Sequence, residues 1–580
     1  MKILLLLVFI SLPLKAQTTG IKTYCNPMDI NYQYNFEQKD LGISYRSGAD
    51  PVIVNHNCEY YLFVTISGGW WHSKDLLHWN YIKPDKWPVE DMCAPAALSY
   101  NDTLLLFQST FAQRPIYFMT DPTSGHLDYL NYPLSLLADS IGGPWDPCIF
   151  YDKEINKWYM YWGSSNFYPI FGDELDKNNG LVYKNAAKEL IYLHPELHGW
   201  ERFGYDHRDT IKPFIEGAWM TKFNKKYYLM YGAPGTEYNV YANGVYVSEQ
   251  PLGPFEYAPN NPVSYKPGGF VTGAGHGNTF QDIFGNWWNT GTPWIAVNWN
   301  FERRIAMFPG GFDNDGLMFS DTRFGDFPHF IPDKKWNTTK ELFTGWMLLS
   351  YKKKVLSSST FENYSANNLT DENPRTFWVA EKNNSDQWLV LDLGKICTVN
   401  ALQINHTDFQ NNIYKSDSTV YTQFKIYSSS DNVNWELITD LTNERHDRPN
   451  AYIEFPLPVS ARYIKYEHVY AASKNLAISD IRIFGNDNGA LPNTPDNFTV
   501  QRDNDRRNVF IKWNSVPDAV GYNILWGIKP DKLYETYQVF ADRPTEIELR
   551  ALTVDQEYYF AIEAFDESGV SELTEVKFCE

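Results

Sequence analysis

The chain has 580 residues, more than one ordinary hydrophobic core accommodates, so two to four domains are expected. Its formal net charge of −20 argues against a nucleic-acid partner, because phosphate binding needs a basic surface. Aromatics make up 17% of residues, which suits buried strands and also leaves rings that could stack on sugars.

The N-terminus reads as a secretory signal, residues 1–16. Lys2 supplies the positive end, ILLLLVFISLPL the apolar stretch, and Leu14-Lys15-Ala16 the cleavage site before Gln17. That apolar run is too short for a membrane span, and no later segment reaches spanning length. Cys25 lies too far downstream for a lipid anchor. An exported protein, periplasmic or secreted, with no membrane span is expected, as a monomer. The six cysteines stand singly with no CxxC, so zinc and redox motifs have no support, and a disulfide through Cys25 or Cys58 stays open.

Residues 23–350 repeat one small pattern five times. The instances are ADPVIVNHNCEYYLFVT, CAPAALSYNDTLLLFQS, WDPCIFYDKEINKWYMYWGSS, IEGAWMTKFNKKYYLMYGAP and GHGNTFQDIFGNWWNTGT. Each is a short polar motif, an apolar strand, a turn and a second aromatic-rich strand. Spacings of about 45 to 70 residues fit propeller blades with functional loops. Five repeats predict an all-β five-bladed propeller around a central channel. Asp50, Asp146 and Glu216 read as carboxylates at one shared point of the repeat, and His276 takes that point in the fifth. The segment 166–212, rich in Asp, Tyr and His, is expected as loops over one rim. Trp71, Trp145, Trp219 and Trp294 flank the motifs and are candidates for stacking on a sugar, with blade packing as the alternative.

Two further all-β units follow. Residues 351–487 alternate cleanly between apolar and polar and predict a jelly-roll-type β-sandwich. Residues 492–580 contain about seven short strands around Trp513 and Tyr558 and predict an immunoglobulin-like sandwich with a corner tyrosine.

Two carboxylates across a sugar linkage are the minimal glycosidase machinery, and a third acid can raise the donor's pKa. GADPVIV, WDPCIFYD and FIEGAWM, in that order, resemble the signature of glycoside hydrolase family 43, and TGAGHGN resembles that family's GTGHG segment. The resemblance covers the whole first domain. It implies an inverting glycosidase acting on plant-type polysaccharide, of α-L-arabinofuranosidase or β-xylosidase type, with galactan-cleaving members a minority. A non-catalytic carbohydrate-binding propeller is the alternative from another class. Carried over, it implies Asp50 as general base, Glu216 as general acid and Asp146 as the residue tuning and orienting Glu216. Base and acid should then stand roughly 6.5–9.5 Å apart. It also implies that Arg303, rather than its neighbour Arg304, contacts sugar or Asp50. His276 would help hold a channel calcium, or else bond to channel water. No cofactor is required for the chemistry. Blade two departs from the family: MCAPAAL carries no acid, and Cys93 stands where a tryptophan is usual.

The motifs DENPRTFW, WLVLDLG, IYSSSDNVNW and DIRIFG resemble a discoidin, or factor 5/8 type C, domain of the carbohydrate-binding module family 32 kind. Asp371 and Thr376 fall where that fold commonly holds a structural calcium. The last unit resembles fibronectin type III.

Overall fold

The computed structural model describes residues 22–35, 39–85, 93–109, 116–131, 145–414 and 417–580. The expected leader, 1–16, lies outside them. The described chain is almost wholly β, with only short 3-10 turns as helix. No helix among the described residues is long and apolar enough to cross a membrane.

Five antiparallel meanders succeed one another around the first unit. Their inner strands are Val52–His56, Ala96–Tyr100, Cys148–Asp152, Glu216–Phe223 and Thr279–Gln281. The hairpins follow from turn chemistry. His56 pairs with Glu59 and Phe223 with Lys226, leaving the two-residue turns Asn57-Cys58 and Asn224-Lys225. All four of these residues adopt positive φ, as the primed turns of twisted hairpins demand. The strands between them bury β-branched and aromatic side chains such as Ile53, Phe63 and Trp70, all fully buried. Blade five closes on blade one through a side chain: Asn278 accepts from the Ile53 amide and donates to its carbonyl, both at 2.9 Å.

Residues 166–212 depart from the expected rim loops. They contain three outer strands of blade three, Ile170–Asp176, Val182–Tyr183 and Lys188–Ile191. The stretch beyond crosses to the third unit, where Gly199 donates to the Leu552 carbonyl at 2.8 Å and Arg202 to that of Arg550 at 2.6 Å. Its polar composition therefore serves an interface rather than free loops.

In the second unit, the long strands Trp388–His406 and Asn450–Ala471 pair antiparallel, with register shifts that bend them around a core of Trp378, Leu389, Ile404 and Ile464. The third unit packs three strands (Thr499–Arg502, Val509–Lys512, Glu546–Leu549) on four (Glu535–Phe540, Gly521–Gly527, Tyr558–Phe565, Lys577–Cys579). At its corner the Thr553 amide donates to the Tyr558 hydroxyl at 3.0 Å.

The three units share one apolar cluster, in which Cys25, Phe324 and Phe327 meet Tyr452 and Phe484 and, from the third unit, Phe540 and Phe565. Buried charges beside it are paired. Arg46 donates to Asp408 at 2.8–3.2 Å and to Asp447 at 3.0–3.2 Å, and Arg482 donates to both Glu372 oxygens at 3.0 Å and to the Asp326 carbonyl at 2.6 Å. All six cysteines are free thiols, so the open question of a disulfide resolves without one here.

Candidate active site

A residue two or three positions before the continuously paired part of each inner strand is left-handed. Asp50 has φ 53°, Ala94 38°, Asp146 47°, Gly217 62° and His276 43°. Such backbone costs on the order of 1–3 kcal/mol per non-glycine residue, so the surrounding structure must hold it. The holding groups are hydroxyls at the ends of the second strands. Thr292 Oγ1 accepts from the Asp50 amide at 2.9 Å, Thr65 Oγ1 from Ala94 at 2.7 Å and Ser109 Oγ from Asp146 at 2.8 Å. Each bond runs from one blade to the next. The fourth link is made by Asp146 itself, which accepts from the Gly217 amide at 3.3 Å, and the fifth by Asn243, which accepts from the His276 amide at 2.8 Å. A closed ring of side chain-to-amide bonds thus circles the channel. None of these hydroxyls is apparent from a reading of the acidic motifs alone. The signal for them is the recurring strand ends LFVT, LFQS and NTGT.

One sequence expectation needs correction here. The shared point in blade four is Gly217, not Glu216. A register shift between Glu216 and Trp219 inserts a bulge, which sets the carboxylate one residue earlier and re-aims it. Gly217 is required as glycine: a Cβ there would stand 2.7 Å from the His276 ring. Blade two contributes only the Ala94 methyl group at this point.

Around the ring the functional groups converge. Asp50 Oδ2 accepts from Thr65 Oγ1 at 2.5 Å, while its Oδ1 lies 3.2 Å from His276 Nδ1 and 3.8 Å from Arg303 Nη1. Asp146 Oδ1 accepts from Ser109 Oγ at 3.2 Å, and Oδ2 lies 3.7 Å from the same His276 nitrogen. Glu216 is held at both oxygens: Tyr241 donates to Oε1 at 2.5 Å and Ser164 to Oε2 at 3.1 Å. Burial pushes Asp146 up to about 7, with Glu216 and Asp50 adding to the rise against the opposing pull of His276. Burial disfavours a charged His276 ring, but Asp50, Asp146 and Glu216 outweigh it and raise its pKa above that of ordinary imidazole. Burial, then Glu216, holds the Tyr241 phenol well above its usual range, so it remains a donor.

Arg303 points into this site and also donates to Thr236 Oγ1 at 3.2 Å. Arg304 turns away, to the Arg46 carbonyl and Asn450. Two of the four candidate tryptophans do not serve as sugar platforms. Trp71 is 1% exposed and donates to Asn31, so neither ring face is free. Trp219 packs among the cores of several blades and donates to the Thr279 carbonyl at 3.2 Å. Trp145 immediately precedes Asp146 and is half-buried. Trp294 is bridged to Arg303, and the Arg375 guanidinium of the second unit lies 4.3 Å over its ring. In the second unit, Thr376 Oγ1 donates to Asp371 at 2.8 and 3.0 Å.

The described arrangement coincides with a family match: residues 43–309 fit the model of Glycosyl hydrolases family 43. The propeller is a family 43 domain. Residues 354–481 likewise match the F5/8 type C domain. The family 43 domain is similar to a xylan 1,3-beta-xylosidase of a Vibrio species, 28% identical over 280 residues, or 41% of this chain and 46% of that protein. A non-reducing end alpha-L-arabinofuranosidase of Bacteroides ovatus is 24% identical over 338 residues, 54% of this chain and 56% of that one. The matched region is thus about half the length of these curated relatives. Among solved structures, a thermostable family-43 glycoside hydrolase aligns with TM-score 0.41 at 20% identity, over 51% of this chain and 95% of that one.

Proposed function

We propose that the protein is an exported inverting glycosidase acting on pentose-containing plant-type polysaccharide, of α-L-arabinofuranosidase or β-xylosidase type. The observation that carries this reading is the convergence of Asp50 and Asp146 on one strained ring with His276 and Arg303, with Glu216 fixed beside the ring's Gly217 by Tyr241 and Ser164. Two named relatives act on xylosides and arabinofuranosides, and both fit a pentose.

In this reading Glu216, fixed by Tyr241 and Ser164, gives its proton to the glycosidic oxygen as the C–O bond breaks. Asp50, with donors converging on it, takes a proton from the water that attacks the anomeric carbon from the opposite face. Configuration inverts, and the two protons balance. Asp146 does not touch the leaving group. It shapes the field at Glu216 and holds Gly217, and with it the bulge that aims the acid. The neighbouring acids favour the charged form of His276, which in turn opposes the rise at Asp146.

A calcium ion is proposed in the second unit, at Asp371 and Thr376 together with Asp480. What supports it is Asp480, whose two carboxylate oxygens are buried without a hydrogen-bond partner, and whose pKa is raised well above the ordinary value by burial first and by Glu372 and Asp371 next. The channel fits a resident calcium poorly. The ion prefers oxygen ligands, and the Nδ1 of His276 is already engaged by Asp50. No group of three His, Cys, Asp or Glu side chains suited to a metal occurs among the described residues, in the channel or in the second unit, so an ion at Asp371 would depend on hydroxyl and carbonyl oxygens beside it. The third unit is read as fibronectin type III, on its three-on-four strand arrangement and corner Tyr558.

The test is an assay on aryl arabinofuranoside and aryl xyloside, with product anomers followed by NMR. Hydrolysis with inversion, abolished in Asp50→Ala, is expected. A wild-type protein that binds but cleaves no pentoside, galactoside or polysaccharide would instead make it a carbohydrate-binding propeller.

A further inference from the structure

Residues 163–169 join the second and third strands of blade three, Lys157–Trp162 and Ile170–Asp176. This short connection is tied to the acid from two sides. Ser164 donates to Glu216, and Ser165 exchanges backbone hydrogen bonds of 3.0 and 3.1 Å with Ile215, the residue before Glu216. The Ser165 hydroxyl then accepts from the amides of Phe167 at 2.9 Å and Tyr168 at 3.1 Å, which fixes the backbone carrying two aromatic rings. Those rings stand out in solvent, Phe167 69% exposed and Tyr168 54%. The Lys212 ammonium lies 5.0 Å from the Phe167 ring centre. Burying such a ring would stabilise the chain by roughly 1.5–3 kcal/mol, a gain this pinned loop forgoes.

The acid protonates the leaving oxygen, so whatever the substrate carries beyond the cleaved bond must extend past Glu216 on its own side. The pinned pair follows closely on Ser164 and Ser165, the residues tied to Glu216 and Ile215. We propose that Phe167 and Tyr168 form the subsite for the leaving-group sugar, stacking on its C–H face. The preferred substrate is then a pentoside attached to a further sugar residue. This rests on the glycosidase reading above.

The test compares a pentosyl fluoride, which has no sugar beyond the cleaved bond, with an oligosaccharide of the same pentose. In the double variant Phe167→Ala/Tyr168→Ala, kcat/KM on the oligosaccharide should fall about tenfold, mainly through KM, while the fluoride is hydrolysed as by wild type. Phe167→Tyr should restore most of the loss, and the unfolding midpoint should not move, because the rings are exposed. An equal loss on both substrates, or none on either, would overturn the subsite and leave the glycosidase reading standing. A wild-type protein inactive on both would overturn the two together.

Discussion

Charge is buried in two places in this molecule, and it is treated in opposite ways. At the junction of the three units, Arg46 faces Asp408 and Asp447, and Arg482 faces Glu372, with hydrogen bonds covering nearly every charged atom. At the channel, three carboxylates share one histidine and one distant arginine, on backbone that is itself strained. The junction stores charge for cohesion. The channel crowds like charges where no gain in stability results, and that excess is the mark of a site arranged for proton transfer.

The sharpest way to break this contrast is to remove a charge from each place. Arg46→Met leaves two buried carboxylates unpaired and should destabilise the protein by about 3–5 kcal/mol in denaturant unfolding, with activity below the transition retained. A midpoint unchanged from wild type would mean that the junction does not hold the units together.

Asp146→Asn should act in the other direction. The native carboxyl, raised to about 7, holds its proton between about pH 4 and 7, where an unfolded aspartate has lost it. Stability linked to this group is therefore present at low pH and lost as pH rises through about 7. His276, with its pKa also raised, adds to the same loss. Asp146→Asn should flatten the decline in unfolding midpoint between pH 5 and 8 and leave the variant at least as stable as wild type at pH 8, with activity reduced. A slope unchanged by the substitution would show that Asp146 is not the group that titrates.

The contrast also bears on what could be read from the chain. Asp50 and Asp146 were legible because Asp-Pro recurs at the head of an apolar strand, and His276 because glycines flank it. The position of Glu216 within the repeat was not, because a bulge moves the register by one residue and leaves no mark in the local pattern. Nor were the partners of Glu216: Ser164 closes the third repeat but carries no mark of its contact with an acid in the fourth, and Tyr241 lies outside every motif. Trp71 stayed open between stacking and packing because an aromatic in a strand reads alike whether it faces the core or a ligand, and here Asn31, 40 residues earlier, takes its indole N–H. The two sandwiches were legible from strand patterning, whereas the crossing of Gly199–Arg202 to the third unit depends on tertiary contacts.

Asp480 is the exception at the junction: it lies in the field of Glu372 and Arg482, and its two buried carboxylate oxygens have no hydrogen-bond partner. Chelation should lower the unfolding midpoint of the wild type by several degrees and leave Asp480→Ala unaffected. An identical response in the two would remove calcium from the second unit.

The roles assigned at the channel are tested most directly by separating proton donation from water activation. Fluoride departs without a proton, so Glu216→Gln should still hydrolyse a pentosyl fluoride while losing about 1,000-fold on an oligosaccharide. Asp50→Ala should lose both activities. Fluoride hydrolysis that survives in Asp50→Ala and fails in Glu216→Gln would contradict the assignment of base and acid.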